Sequence, residues 1–134
     1  MVEQSAQAQE AAPPRIDYIL PVSGRLVSAF GERQPGGPAS ATAFAARGGA
    51  LAVAPAGGRV AFAGPYRGYG RIVIIEHPGG WTTLVTGLGR IDVAVGQQVV
   101  QGTALGITPA GRPVLSVELR KDGAPINVLS VVRG

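Results

Sequence analysis

The chain has 134 residues, is 46% hydrophobic, contains 21 Gly, 11 Pro and no Cys, and carries a formal net charge of +4. That length supports one domain with a sizeable core, and the lack of cysteine excludes disulfides and thiolate metal sites. The basic residues are scattered and belong to no recognisable nucleic-acid-reading module, so nucleic acid is not an expected partner; no apolar run approaches the roughly 20 residues of a membrane helix.

Residues 1–15 are rich in Ala, Gln and Glu and reach Pro13-Pro14. They are expected to be a disordered or helical linker remnant, and they lack the charged-then-apolar pattern of a signal peptide. A single domain is expected over 16–134. Within it, short apolar and β-branched runs stand between Gly and Pro. GRLVSAFG (24–31) is the first predicted strand. PGGPASATAFAARGG (35–49) is small and nearly uncharged and reads as a surface loop. ALAVAP (50–55) and GRVAFAG (58–64) are the next strands. RIVIIEH (71–77) is strongly apolar and reads as a central strand, which PGG (78–80) turns into a hairpin partner, WTTLVTGL (81–88). VAVGQQVVQGTALG (93–106) has two Gly-punctuated corners. PVLSVELR (113–120) alternates like a half-buried strand and passes through KDG (121–123) into APINVLS. No helical period is evident beyond the first dozen residues. The expected class is all-β, a small antiparallel barrel or sandwich.

Taken together, LPVSGRLVSAFG, VAPAGGRVAFAG, GYGRIVIIEH, the Gly-x-x-Val-x-x-Gly corner at 96–102 and RPVLSVELR resemble the LytM-type (lysostaphin-like) domain of peptidoglycan endopeptidases, from about Leu20 to Leu129. The resemblance implies a small antiparallel β-domain with an open groove. It also implies a zinc site built from a His-x-x-x-Asp pair and the second His of a His-x-His strand, with a further histidine in a Tyr-x-His-Leu stretch. Such a site needs three protein ligands and an open position for water, which the metal activates. Counting from the GRV strand puts the His-x-x-x-Asp pair on Ala39 and Ala43, the further histidine on Gly87 and the His-x-His pair on Val114 and Ser116. None of these five residues carries a competent side chain, so neither metal nor cofactor is expected and hydrolysis by the domain alone is not. The lone histidine, His77, ends a strand beside a Gly-rich turn and reads as structural. Glu76 points to the opposite face of that strand. Glu118 shares a face with Ser116 and reads as a framework carboxylate.

A groove emptied of ligands is expected to be lined by small and apolar residues, Ala39, Ala43, Val85, Gly87 and Val114, with Arg112, Tyr66, Tyr69 and Trp81 at its rim. Concave apolar surfaces with Arg and aromatic anchors are binding sites by default. The chain resembles degenerate domains of the EnvC type. The resemblance implies a murein hydrolase activator in the periplasm that takes hold of the regulatory helix of an N-acetylmuramoyl-L-alanine amidase and promotes cell separation. It further implies a divisome membrane partner reached through a coiled coil outside this sequence. A plain peptidoglycan-binding module and a cryptic hydrolase remain alternatives. A lipoyl-type carrier is disfavoured, because Lys121 is the only lysine and lies in the wrong sort of turn.

Overall fold

A computed structural model describes residues 15–133. Thirteen strands follow in order: β1 (Arg25–Ser28), β2 (Arg33–Gln34), β3 (Gly37–Pro38), β4 (Thr42–Ala45), β5 (Leu51–Val53), β6 (Gly58–Tyr66), β7 (Gly70–His77), β8 (Trp81–Leu88), β9 (Arg90–Ile91), β10 (Gln98–Val99), β11 (Ala104–Ile107), β12 (Val114–Lys121) and β13 (Ala124–Ile126). Among the described residues the one helical element is a 3₁₀ turn at Val128–Ser130, whose first turn is capped by Asn127 Oδ1 accepting from Leu129 N at 3.1 Å. Among these residues no helix is long and apolar enough to cross a membrane. Apart from Arg15, the expected linker 1–15 lies outside the described residues.

One eight-stranded antiparallel sheet dominates, in the order β1-β4-β12-β8-β7-β6-β10, with β13 beside β12. A three-stranded sheet, β5-β11-β9, and the β2–β3 pair complete the all-β fold. Alternation divides the large sheet into two faces. Leu115, Val117 and Leu119 of β12 are fully buried on the core side, as are Val73 and Ile75 of β7 and Val85 of β8. Each such side chain contributes about 1.5–3 kcal/mol relative to exposure. The intervening residues, Ser116, Glu118 and Arg120 on β12 and Thr82, Leu84 and Thr86 on β8, face the other way and are only partly covered.

The segment 35–49 departs from the loop reading. It contains β3 and then β4, which lies inside the sheet between β1 and β12. Thr42 and Phe44 are buried opposite Val117 and Leu115. Ala41, Ala43 and Ala45 between them are weak strand formers, so the apolar alternation is too faint to read from sequence.

A chain of buried polar groups runs through the core side. His77 Nδ1 lies 2.7 Å from Gly57 O, His77 Nε2 lies 2.7 Å from Thr83 Oγ1, and Tyr18 Oη lies 2.8 Å from the same Thr83 oxygen. A carbonyl only accepts, so Nδ1 carries the ring proton. Burial pushes the His77 pKa down, and the bond to Gly57 opposes this only in part. The ring is therefore neutral; Nε2 accepts from Thr83, whose oxygen accepts in turn from Tyr18. This chain fastens the N-terminal segment to the sheet. Backbone bonds reinforce it: Tyr18 bridges Val132 in parallel, and Arg133 N donates to Tyr18 O at 3.0 Å.

Two outcomes are expected. Thr83→Val leaves two buried polar atoms unpaired and should lower stability by about 1–3 kcal/mol in urea titrations. His77 loses its proton more readily when folded than at its ordinary value of about 6.5. Stability should therefore be full above about pH 6.5 and fall as pH drops through the lower folded value. His77→Gln should flatten that slope.

Candidate functional site

The outward face of β12, β8, β7 and β6 forms the floor of a groove of ≈ 450 Å³. Cross-strand register builds it in rows. Ser116 stands opposite Thr86, which stands opposite Ile72. The next row is Glu118, Leu84, Ile74 and Phe62. Ala41 lines one side, and Tyr66 and Tyr69, around the β6–β7 turn, line the other. The aromatics climb from floor to rim, with Phe62 edge-on to Tyr66 at 6.2 Å and Tyr66 tilted against Tyr69 at 5.7 Å between centroids. Tyr66 and Tyr69 are 55% and 58% exposed, unusual for large aromatics with no partner on their outer faces. At one end of the groove the Arg120 guanidinium donates to Glu118 at 2.5 Å and to Gly123 O at 3.0 Å, so these charges satisfy one another.

The residues singled out by sequence fall in different places. Ser116, Tyr66 and Tyr69 line the groove. Ala43 is the register partner of Ser116 across β4–β12, on the same face. Ala39 is buried in the preceding loop, its N–H donating to Glu32 O at 3.0 Å and its carbonyl accepting from Gly31 N at 2.7 Å. Val114 is 50% exposed at the start of β12, and Arg112 is exposed in the loop before it; both lie beyond the groove lining. Gly87 occupies a bulge where Arg71 pairs with Leu88 but Ile72 pairs with Thr86. Its φ is +93°, and a Cβ there would stand 2.6 Å from Val114 O.

Two expected groove residues are on the wrong side. Val85 is fully buried, and Trp81 is 6% exposed in the core cluster with Lys121 Nζ 5.4 Å from its ring centroid. Both alternate with Leu84 and Thr86, so the pleat sends them into the core. The groove residues that sequence reading missed, Leu84, Thr86, Ile72, Ile74, Phe62 and Ala41, had a usable signal. Once Ser116 is placed outward, the even positions of β8 follow by pairing. The bulge at Gly87 hid this, because it shifts the alternation by one residue.

His77, the sequence's one histidine, is buried on the core side and bonded to Gly57 and Thr83. Among the described residues no three His, Asp or Glu side chains converge as metal ligands. The positions that the sequence comparison singled out, Ala39, Ala43 and Ser116, carry two methyl groups and one hydroxyl.

Residues 37–128 match the family model described as Peptidase family M23. The chain belongs to this family. It is 30% identical over 128 residues to cell division protein DipM of Caulobacter vibrioides, covering 90% of this chain and 21% of DipM. It is 32% identical over 119 residues to murein hydrolase activator EnvC of Escherichia coli, covering 85% of this chain and 28% of EnvC. The structure of Helicobacter pylori Csd3 superposes with a TM-score of 0.80 at 27% identity, covering 89% of this chain and 35% of Csd3. The chain thus spans roughly a fifth to a third of the length of these relatives. Two of these relatives are thus named for cell division and for murein hydrolase activation.

At Gly87, Gly87→Ala should lower stability by about 1–3 kcal/mol, because a side chain meets both a left-handed backbone and the Val114 carbonyl. A thermal melt reads this directly; an unchanged midpoint would mean the bulge relaxes freely.

Proposed function

We propose that this M23 domain is a non-catalytic activator: its groove docks the regulatory helix of a cell-wall N-acetylmuramoyl-L-alanine amidase and so promotes septal peptidoglycan hydrolysis. The observation that carries this reading is the Ala43–Ser116 row at the head of an apolar groove. Alanine has no donor and serine is a poor zinc ligand, so the donor set does not fit a tetrahedral metal site. The neighbouring carboxylate, Glu118, is held by Arg120. What remains is an apolar floor with exposed tyrosines, which suits the apolar face of a helix. Kinship with a murein hydrolase activator and a cell division protein supports the same reading.

Activation then works by population shift. The groove binds the amidase conformation in which the regulatory helix has left the amidase site, and a tenfold stimulation needs about 1.4 kcal/mol of preference for that state. The setting is the periplasm, with a divisome membrane partner engaged through a coiled coil outside this chain. A second reading, a peptidoglycan-binding module, draws on the exposed Tyr66–Tyr69 pair, on which sugar rings could stack.

The test is dye release from labelled peptidoglycan by the domain, an EnvC-dependent type of amidase, and the mixture. Release is expected in excess only in the mixture. Ser116→Arg, which fills the groove floor, and Tyr66→Ala should each reduce stimulation about tenfold or more with unchanged melting. Release by the domain alone would overturn the reading. Silence in the mixture, with binding to purified wall, would favour the module.

A further inference from the structure

The charges of this domain are sorted between the two ends of the groove. At the end where β7 and β12 finish, three carboxylates each stand beside a cation. Glu118 binds Arg120, Glu76 stands 3.7 Å from Arg59, and Asp122 stands 3.7 Å from Lys121. The opposite end is where β1, β7 and β12 begin and β4, β6 and β8 finish. Arg25 is in register with Ala45, and Ala45 with Val114. Arg47 and Arg112 stand just beyond this row. Arg67 lies in the turn after Tyr66, and Arg71 is opposite Leu88. All five arginines are exposed, and among the described residues none of them pairs with a carboxylate. The acid at this end, Asp92, is taken by Arg90 through two bonds of 2.9 and 3.0 Å.

These arginines are not merely scattered over a surface. The loops that carry Arg47 and Arg112 are tied together: Thr108 Oγ1 donates to Arg47 O at 2.6 Å, and Gly49 N donates to Thr108 O at 3.1 Å. Arg71 is held in place by donating to Gly89 O at 3.0 Å. The concavity also continues. Tyr66 is shared between the groove and a hollow beside it that Arg67 and Arg71 line, and Arg71 and Leu88 are shared in turn with a hollow reaching Gly48, Gly49 and Gly111. An occupant leaving the apolar floor past the tyrosines therefore runs directly onto unneutralised guanidiniums.

We infer that the groove selects a partner segment with a polarity: an apolar face for the floor followed by a cluster of carboxylates over Arg47, Arg67, Arg71 and Arg112. This rests on the groove being the docking surface proposed above, and specifies the chemistry and direction of what docks there. Guanidinium recognises carboxylate with paired bonds and fixed geometry. Such rim contacts set orientation, partner choice and association rate more than total affinity. The alternative anion, the wall polymer itself, is less suited to a floor of Phe62, Ile72, Ile74 and Leu84, which offers apolar side chains and few hydrogen-bond partners.

The experiment uses synthetic amphipathic peptides that share one Leu-rich face and end in a run of Glu, Gln or Lys. Binding is measured by fluorescence anisotropy with the full chain and with Arg47→Glu/Arg112→Glu, whose altered residues are exposed and should leave the melting curve unchanged. The Glu-tipped peptide should bind about tenfold tighter than the Gln-tipped one and the Lys-tipped one weakest. The preference should shrink at about 0.5 M salt, where the screening length is only a few ångströms, and should vanish in the double variant. Equal binding of the three, no binding of any, or a preference that survives in the double variant would overturn the inference. Loss of binding to isolated wall in the double variant, with no peptide preference, would also overturn it and reassign the arginines to the polymer. Amidase stimulation separates the two proposals: its failure beside a clear Glu preference sinks the activator reading alone, and stimulation without the preference sinks this one alone.

Discussion

The register of β8 between β7 and β12 decides where everything else lies. With Val117 opposite Val85, and Val85 opposite Val73, the three strands present one continuous apolar surface to the core. Their intervening residues are then forced outward together, and Ser116, Thr86 and Ile72 become neighbours on a second face. A one-residue slip would exchange core and groove on every strand at once. The buried bonds of Thr83 to His77 and Tyr18 make such a slip costly, because they exist in one register only. The bulge at Gly87 ends that face cleanly: beyond it Leu88 turns back into the core.

The same register underlies the proposed docking role of this M23 fold. The outward face of these strands carries methyl, hydroxyl and apolar groups. A surface of this kind gains free energy by being covered. The paired Glu118 and Arg120 close one end without leaving a free charge, whereas the arginines at the other end remain available. In the proposed docking, apolar burial supplies the attraction and the arginines supply direction, a division of labour common at protein interfaces.

Much of the architecture could be read from the sequence because turns and alternation are local signals. RIVIIEH and WTTLVTGL around PGG form the central hairpin as expected, and PVLSVELR forms the strand beside it. β4 escaped notice because its outward residues are alanines, and its strand character comes from neighbours far away in sequence rather than from its own propensity. The groove was legible in outline only. Ser116 could be named from the family pattern and Tyr66 and Tyr69 as aromatic anchors, but Val85 and Trp81 were set on the wrong face, since one bulge reverses the count. Of the arginine end only Arg112 was named from the sequence: its members are spread from Arg25 to Arg112, and only the sheet gathers them.

The central claim is that the groove face, and not the edges of the sheet or the smaller β5-β11-β9 sheet, receives the amidase. Amide hydrogen exchange of the domain with and without a stimulated amidase tests this most directly. The account predicts slowed exchange in the β6–β7 turn around Tyr66–Tyr69, in 116–120 of β12, in 84–87 of β8 and in the loops that carry Arg47 and Arg112. Protection confined to β5 and β11, or stimulation with no protection at the groove, would contradict it.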